Sequence, residues 1–189
     1  AKWWNEERWN NELTDDLMNT AFKMSVAAGK ETTRKLISDG EYDADRTEEY
    51  VRSMCRRRAE MVNQKTYDEL TEALEAGEDE DGMKSAPEGV FENAEKNRAD
   101  SAGLAFAGAL LAWSAMEALR QNEERVGGKA YKTWVVTSGN PRASHALMNN
   151  ETVPYNEPFS NGAQWPGDID NLSIEEVANC HCILEVTIP

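Results

Sequence analysis

The chain has 189 residues, of which 40% are hydrophobic and 29% are charged, and its formal net charge is −15. This length suits one domain or two small ones, and the apolar share is sufficient for a core. The negative charge argues against binding to a nucleic-acid backbone or an anionic membrane by bulk electrostatics, because both require clustered Lys and Arg.

The first two thirds of the sequence predict three long helices, at about residues 3–37, 45–76 and 86–125. Apolar residues that recur every three or four positions predict one buried stripe on the first helix. They are Trp9, Leu13, Leu17, Ala21, Met24 and Ala28. Asp45 and Glu48 have the spacing of a capping box, so we expect the second helix to begin there.

The second helix carries both a core face and a basic run. Its apolar residues are Val51, Met54, Cys55, Met61, Val62, Leu70 and Leu74. The run Arg56–Arg58 lies on the same helix. We interpret it as solvated or paired with the many carboxylates; the alternative is a small nucleic-acid patch.

The third helix has a clear start and a clear end in the sequence. Ser85 is a suitable cap for a helix with Pro87 in its first turn, and Gly127 and Gly128 would end it. Its small residues predict the central, most buried helix, since they allow close approach of a neighbour. They are Ala99, Gly103 and Ala107, together with Leu110. The acidic run 77–82 before this helix predicts an exposed loop, since its spacing does not fit a calcium loop.

The last sixty residues are rich in Pro, Gly, Asn and short β-type runs. Strands are predicted at Lys132–Thr137, at Thr152–Val153 and at Cys182–Ile188, with short helical turns at 144–148 and 173–176. The fold class predicted for the whole chain is therefore α+β. Long helices pack as a helical region over residues 1–128, and a small mixed α+β module with short antiparallel strands follows at 129–189.

Cysteine usage and hydropathy give further expectations. The cysteine count is three, an odd number, with two of them one residue apart, so a disulfide framework is not expected. The N-terminus has no apolar run of the signal-peptide type. The longest uncharged stretch, Ser101–Met116, is shorter than the roughly 18–20 residues that span a bilayer. We therefore expect a soluble protein of a reducing compartment, with no membrane partner.

Both histidines of the chain lie in the C-terminal module with two of its cysteines. Zinc prefers tetrahedral nitrogen and sulfur ligands, so His145, Cys180 and Cys182 are candidate ligands of a structural zinc, with Asp168 or water completing the shell. In an extended strand His181 would point away from both thiols. The simpler alternative is that the thiols are buried core residues and that the protein has no cofactor.

Nucleophilic catalysis is the remaining chemical interpretation of this cluster. Either Cys180 or Cys182 could pair with His145, with Asn179 or Asp168 as the orienting group. The residues around them are acidic, and an acidic setting does not favour a thiolate. Arg142 is expected to make a salt bridge or bind carbonyls rather than recognise a substrate.

Several short motifs occur in a fixed order along the tail. They are Lys132-x-Trp134, Asn140-Pro-Arg142-x-Ser144-His145, Glu151-Thr-Val-Pro154, Phe159-Ser-Asn-Gly162, Trp165-Pro-Gly-Asp168 and Asn179-Cys-x-Cys182. In this order they resemble the C-terminal module of the phage minor head proteins, the Mu F-like (SPP1 head morphogenesis-like) family. The resemblance covers residues 129–189, and the helix of residues 89–125 is similar to the segment that precedes the module in that family.

The resemblance implies a virion component made in a bacterial cytoplasm and present in few copies inside the capsid near the portal vertex. Its implied partners are the portal protein and/or the major capsid protein, with packaged DNA contacted weakly or indirectly. It implies a role in head assembly, DNA packaging or ejection, and no enzymatic activity and no catalytic residues. Ser138 and Asn140 stand near places where many members carry an acidic residue and an Arg, and His181 replaces the Arg of their Asn-Cys-Arg-Cys.

Two functions from different classes thus follow from the sequence. The first is a structural protein of a phage head, in which the tail module is a rigid docking unit. The alternative is a metal-dependent or thiol hydrolase-like enzyme that works at His145, Cys180 and Cys182.

Overall fold

The computed structural model describes residues 3–77 and 80–189, without the side chains of residues 80–84 and 86. Its long helices are α1 (Glu6–Leu36), α2 (Glu48–Ala76), α3 (Glu80–Asn93) and α4 (Ala99–Gln121). Smaller elements follow: α5 (Glu123–Val126), β1 (Tyr131–Val135), α6 (Ala143–Leu147), β2 (Thr152–Pro154), α7 (Ile174–Val177) and β3 (Ile183–Thr187). The α+β class predicted from the sequence is confirmed.

The buried face of α1 differs from the predicted apolar stripe. Its buried residues are Asn10, Thr14, Met18, Ala21, Ser25, Gly29 and Thr33. Only Ala21 belongs to the predicted stripe, and Trp9 is exposed. Small side chains bring α1 close to α2 and α4, and the bulky residues flank the contact. Buried hydrogen bonds satisfy the polar groups: Asn63 Nδ2 donates to Asn10 Oδ1 at 2.8 Å, and the Ser25 and Ser114 hydroxyls are 2.9 Å apart.

The start of α2 also differs from the prediction. A single 3-10 turn, Asp45–Thr47, precedes the helix, and Thr47 is the N-cap without a side-chain cap bond. The Asp45 side chain makes no capping box; its backbone N–H donates to Oδ1 of Asp43 at 3.0 Å. The predicted apolar face is buried at Val51, Met54, Cys55 and Leu70, and half-buried at Met61, Val62 and Leu74.

The third predicted helix begins earlier and is interrupted. The helix α3 starts at Glu80, so Ser85 does not cap it and Pro87 lies inside it. Of the loop predicted at 77–82, residues 78–79 lie outside the described residues and the rest is helical from Glu80. A π-helical segment, Ala94–Arg98, joins α3 to α4, and Gly127 ends α5 with φ +58°.

The second half of α4 is the most buried part of this region. Its buried residues are Ala105, Phe106, Ala109, Leu110, Ala112, Trp113, Ser114, Met116, Ala118 and Leu119. The predicted small-residue face is wrong at Ala99 and Gly103, which are exposed. The close approach occurs instead at Ala109, against Gly167. A Cβ on Gly167 would lie 2.6 Å from that of Ala109.

By length and composition, the helical stretch Pro87–Gln121 could also cross a membrane. Its most apolar window has a mean hydropathy of 1.5, and half of that window is buried inside the fold. The core helix of a soluble protein satisfies the same criterion, so this finding alone assigns nothing.

The C-terminal strands form one antiparallel sheet in the order β2-β1-β3. Thr133 pairs with Thr152 on one side, and Trp134 pairs with Leu184 on the other. All three predicted strands and both predicted helical turns are present. Cys180 and Cys182 lie just before β3. The inward-facing residues of β3 lie on the same side of the chain as Cys182.

The helices and the C-terminal residues share one hydrophobic core. The larger cluster joins side chains of α1, α2 and α4 to Ala130, Tyr155 and Trp165, with Leu184, Val186 and Ile188 packed against it. A smaller cluster lies within the C-terminal part: Trp134, Met148, Phe159, Ala163, Cys180 and Cys182. The sheet therefore packs on α4. The division at residues 128 and 129 stays a prediction.

Candidate metal centre

Three of the predicted site residues converge in the C-terminal part. Nδ1 of His145 lies 3.6 Å from Sγ of Cys180 and 3.4 Å from Sγ of Cys182. The three ligand atoms all lie within 4.8 Å of one another. The residues are only 2%, 4% and 4% exposed, so the cluster is closed to bulk solvent.

The local chain path explains this convergence. Asn179 has φ +52°, a left-handed conformation that Asn tolerates, and it turns the chain directly before Cys180. The Cys180 N–H donates to the Val177 carbonyl at 3.3 Å, so the segment folds back on α7. The guanidinium of Arg142 donates to the carbonyls of Glu175 and Ala178. This arginine holds α7 beside α6, the helix that carries His145.

The far side of the imidazole faces a carboxylate. Nε2 of His145 lies 2.9 Å from Oε2 of Glu176, although its N–H direction falls outside hydrogen-bond geometry. The Ser144 hydroxyl donates to the same carboxylate at 2.9 Å. A carboxylate beside Nε2 favours the proton on that nitrogen, which leaves the Nδ1 lone pair directed at the sulfurs.

The two thiols are electrostatically coupled. A hydrogen bond from the Cys182 thiol stabilises the thiolate of Cys180 and lowers its pKa. The same hydrogen bond, together with burial, raises the pKa of Cys182. The pair therefore loses a first proton readily and holds a second one strongly unless a cation lies nearby.

A buried cation on α2 lies near this site. Arg58 is buried, with its guanidinium 5.4 Å from the centre of the Phe106 ring. Burial lowers the pKa of Arg58, and the charge of Cys180 raises it. Arg58 thus places a positive charge of the neighbouring helix α2 within electrostatic range of Cys180. The expectation that the acidic setting does not favour a thiolate stays a prediction.

The other predicted candidates lie elsewhere. Asp168 is fully buried and accepts hydrogen bonds from the Gln164 N–H at 2.8 Å and from Asn171 Nδ2 at 2.7 Å. It organises its own loop and is not part of the cluster. His181 is exposed, as the strand argument predicts, with Nε2 3.5 Å from the Ser101 hydroxyl. Asn179 contacts the same hydroxyl, at 2.9 Å.

Two of the three arginines of the basic run on α2 are paired with carboxylates, as the sequence predicts, whereas Arg58 is buried. Arg56 Nε contacts Glu60 at 2.8 Å, and Arg57 forms an ion pair with Asp170. With Arg58 buried, the run forms no continuous basic patch.

Sequence reasoning missed two residues of the site. Glu176 was interpreted as part of a helical turn, and nothing in its sequence separation from His145 indicates contact. Arg58 lies in a basic run, which suggests an exposed residue. It follows the buried Cys55 by three positions and so lies on the same side of the helix, and this is the one indication in the sequence that it is buried.

Surface depressions occur away from this cluster. One of about 450 Å³ is lined by residues that include Lys30 and Tyr42, and one of about 410 Å³ lies between α2 and α3. Neither is lined by His145, Cys180 or Cys182. No protein family, no curated protein and no solved structure matches the chain.

Proposed function

We propose that the protein is a structural component of a phage head, a minor head protein in the Mu F-like sense. It is made in the cytoplasm of the host and becomes part of the virion, inside the capsid near the portal vertex. Its partners are the portal protein and/or the major capsid protein. It acts in head morphogenesis, with a possible part in DNA packaging or ejection, and performs no turnover.

One observation carries this proposal: the polar side chains of the tail motifs are used to brace the fold. Nζ of Lys132 is completely buried and donates to the carbonyl and the Oε1 of Gln164, both at 2.9 Å. Arg142 binds two carbonyls, and Asp168 organises a loop. Side chains committed to internal hydrogen bonds maintain a shape, which is what a docking unit requires.

The geometry gives less support to the hydrolase alternative. The cluster is buried, and the carboxylate nearest to it contacts His145 on the side of the ring away from the sulfurs. A general base must reach the water or substrate that it deprotonates, and Glu176 does not face the sulfur side. Turnover would require the surrounding structure to open.

The net charge bears on the partners. A surface with a net charge of −15 repels DNA, so contact with the packaged genome would be weak or indirect. It also favours association with a basic protein surface, and that attraction would weaken with salt.

The C-terminal part presents two outward-facing apolar side chains. Leu147 at the end of α6 is 88% exposed, and Ile174 at the start of α7 is 57% exposed. Arg142 joins these two short helices. We expect both side chains to belong to the surface that docks on the portal, since exposed apolar groups on a rigid unit favour protein contacts.

Binding of the full chain to the purified portal protein encoded with it tests the proposal. Leu147→Asp and Ile174→Asp should each weaken binding about tenfold or more, because each places a charge in a desolvated interface. Leu104→Asp is the matched control, since Leu104 is 64% exposed on α4. If the chain binds neither portal nor capsid protein, or if all three variants weaken binding equally, the assigned role or surface is wrong.

A further inference from the structure

We propose that His145, Cys180 and Cys182 bind one Zn²⁺ ion through Nδ1 and the two Sγ atoms. The ion would be structural and would fasten α6 to the segment that enters β3. This proposal does not depend on the head function, because it follows from the positions of three side chains.

The distances match the geometry of a zinc site. Zinc lies about 2.3 Å from a thiolate sulfur and about 2.0–2.1 Å from an imidazole nitrogen, so tetrahedral angles separate the two ligand atoms by about 3.6 Å. The separations found here are 3.6 Å to Cys180 and 3.4 Å to Cys182. Both nitrogen–sulfur separations therefore match those of a tetrahedral zinc site, and the two sulfurs lie within 4.8 Å of each other.

Both sulfurs lie close to the single lone pair of Nδ1 of His145. Nδ1 of a neutral imidazole has one lone pair, which accepts a well-directed hydrogen bond from one thiol and not from two. Both sulfurs nevertheless lie at nearly the same distance from that nitrogen. A single cation between them would contact both sulfurs and the nitrogen at once.

The carboxylate of Glu176 completes the pattern. Zinc-bound histidines commonly donate their other ring nitrogen to a carboxylate, which fixes the tautomer and the ring orientation. Oε2 of Glu176 lies 2.9 Å from Nε2, and Ser144 holds that carboxylate in place. Glu176 is thus a positioning residue for His145 and not a ligand.

The fourth position belongs to water in this proposal. Among the residues that the structure describes, no further His, Cys, Asp or Glu joins the group of three. Three protein ligands and a water are typical of catalytic zinc, whereas this cluster is closed to solvent. Burial is therefore the reason for assigning a structural role. The ion would close a loop between residues 35 apart, His145 and Cys180.

Metal analysis of the purified full chain tests the proposal. After exposure to equimolar Zn²⁺ and removal of free ions, mass spectrometry of the metal content should give one zinc per chain. Co²⁺ in its place should show the thiolate-to-metal charge-transfer band and the visible bands of tetrahedral cobalt. Cys180→Ala and Cys182→Ala should abolish both signals, and Cys55→Ala should retain them, since Cys55 is buried in the helical core.

A milder variant keeps the test decisive if the cysteine variants do not fold. Glu176→Gln should lower zinc affinity about 10–100-fold in competition with a chelator, with the circular dichroism spectrum unchanged. Glu175→Gln, one residue away on an exposed side chain, is its matched control and should bind zinc normally.

Two results would overturn the proposal. One is a wild-type chain that retains no zinc or cobalt after exposure. The other is equal zinc retention by the Cys180→Ala/Cys182→Ala double variant, which would show binding at some other place. In the wild-type protein, titration with a mercurial reagent should release the zinc when two thiols have reacted.

Discussion

The phenol of Tyr50 donates a hydrogen bond to Oδ2 of Asp170 across 2.6 Å, which joins α2 to the loop before α7. The Tyr50 ring stacks on Trp113 of α4, with ring centres 4.6 Å apart, and meets the edge of Trp165 at 6.4 Å. Arg57 pairs with the same aspartate. This residue pair is thus a point at which the helical region and the C-terminal residues are held together.

Breaking this contact should destabilise the whole chain as one unit. Tyr50→Phe removes only the hydroxyl and should lower the free energy of unfolding by about 1 kcal/mol, as expected for one hydrogen bond at an exposed carboxylate. Asp170→Asn should have a similar effect. The double variant should lose less free energy of unfolding than the two single variants lose when their losses are added. Chemical denaturation monitored by tryptophan fluorescence measures all three. Additive losses would mean that the two residues do not interact.

The contact of Gly167 with Ala109 predicts a severe effect of a single methyl group. Gly167→Ala forces a side chain into a left-handed backbone position, with φ +81°, and into Ala109. The left-handed conformation should lower the free energy of unfolding by about 1–2 kcal/mol, and the overlap with Ala109 by about a further 1–3 kcal/mol. Gly162→Ala is the control, because its φ is +87° but no atom lies within 4 Å of the new Cβ.

Thermal unfolding of both glycine variants separates strain from overlap. Gly167→Ala should lower the melting temperature clearly more than Gly162→Ala does. Adding Ala109→Gly should recover part of the loss, since it removes the atom that the new methyl group meets. Equal decreases in melting temperature for Gly167→Ala and Gly162→Ala would show that the overlap with Ala109 contributes little.

Arg142 should tolerate no exchange for lysine. Its guanidinium donates from two nitrogens to two carbonyls, Glu175 and Ala178, and an ammonium cannot reproduce that fork. Arg142→Lys should cost about 1–2 kcal/mol of stability. Below the melting temperature it should leave the proposed portal binding unchanged, because the guanidinium is committed to two carbonyls of its own chain. Lost binding by a fully folded variant would assign Arg142 to the interface instead.

Lys132 gives the stability a defined pH dependence. Burial lowers its pKa from the ordinary 10.5 to about 8. Between these values the unfolded chain holds a proton that the folded chain has released, so the stability contributed by this residue rises with pH from about 8 to about 10.5. Below pH 8 the cost of burying the charge is fully present.

The comparison with Lys132→Met isolates this effect from other groups that titrate in the same range. Burial raises the pKa of Cys55 to about 11, which makes stability fall with pH from 9 upward. The variant retains that contribution. The stability of wild type relative to Lys132→Met should therefore increase from pH 8 to pH 10 in denaturant titrations. A difference that stays constant over this range would contradict a buried, depressed lysine.

Periodicity predicted the elements of this fold better than the faces that they bury. Three helical segments, three strands and two helical turns were predicted close to their positions, because hydrophobic spacing and turn residues are local signals. The face of α1 was predicted wrongly since contact with α4 selects a small residue at Ser25, and contact with Tyr42 selects one at Gly29. Contacts between helices that are far apart in the chain cannot be predicted from the local spacing of residues in a single sequence.

The site was predicted in part. Two cysteines one residue apart and a scarce histidine identified Cys180, Cys182 and His145. Their convergence depends on Arg142 holding two short helices together. Arg58 and Glu176 were not predicted, since their roles arise from chain segments that meet only in the folded protein. Asp168 was one of two alternatives for completing the metal shell, with water as the other, and the structure places its carboxylate in a loop instead.

We propose that a phage encodes this chain, and the most direct measurement of that central claim is a search for the chain in the assembled particles of such a phage. Purified particles should contain the chain in few copies by quantitative mass spectrometry. A cryo-electron microscopy reconstruction should place the C-terminal residues against the portal or the inner capsid wall. Absence of the chain from mature particles and from assembling heads, together with turnover of a substrate by the purified protein, would contradict a structural role.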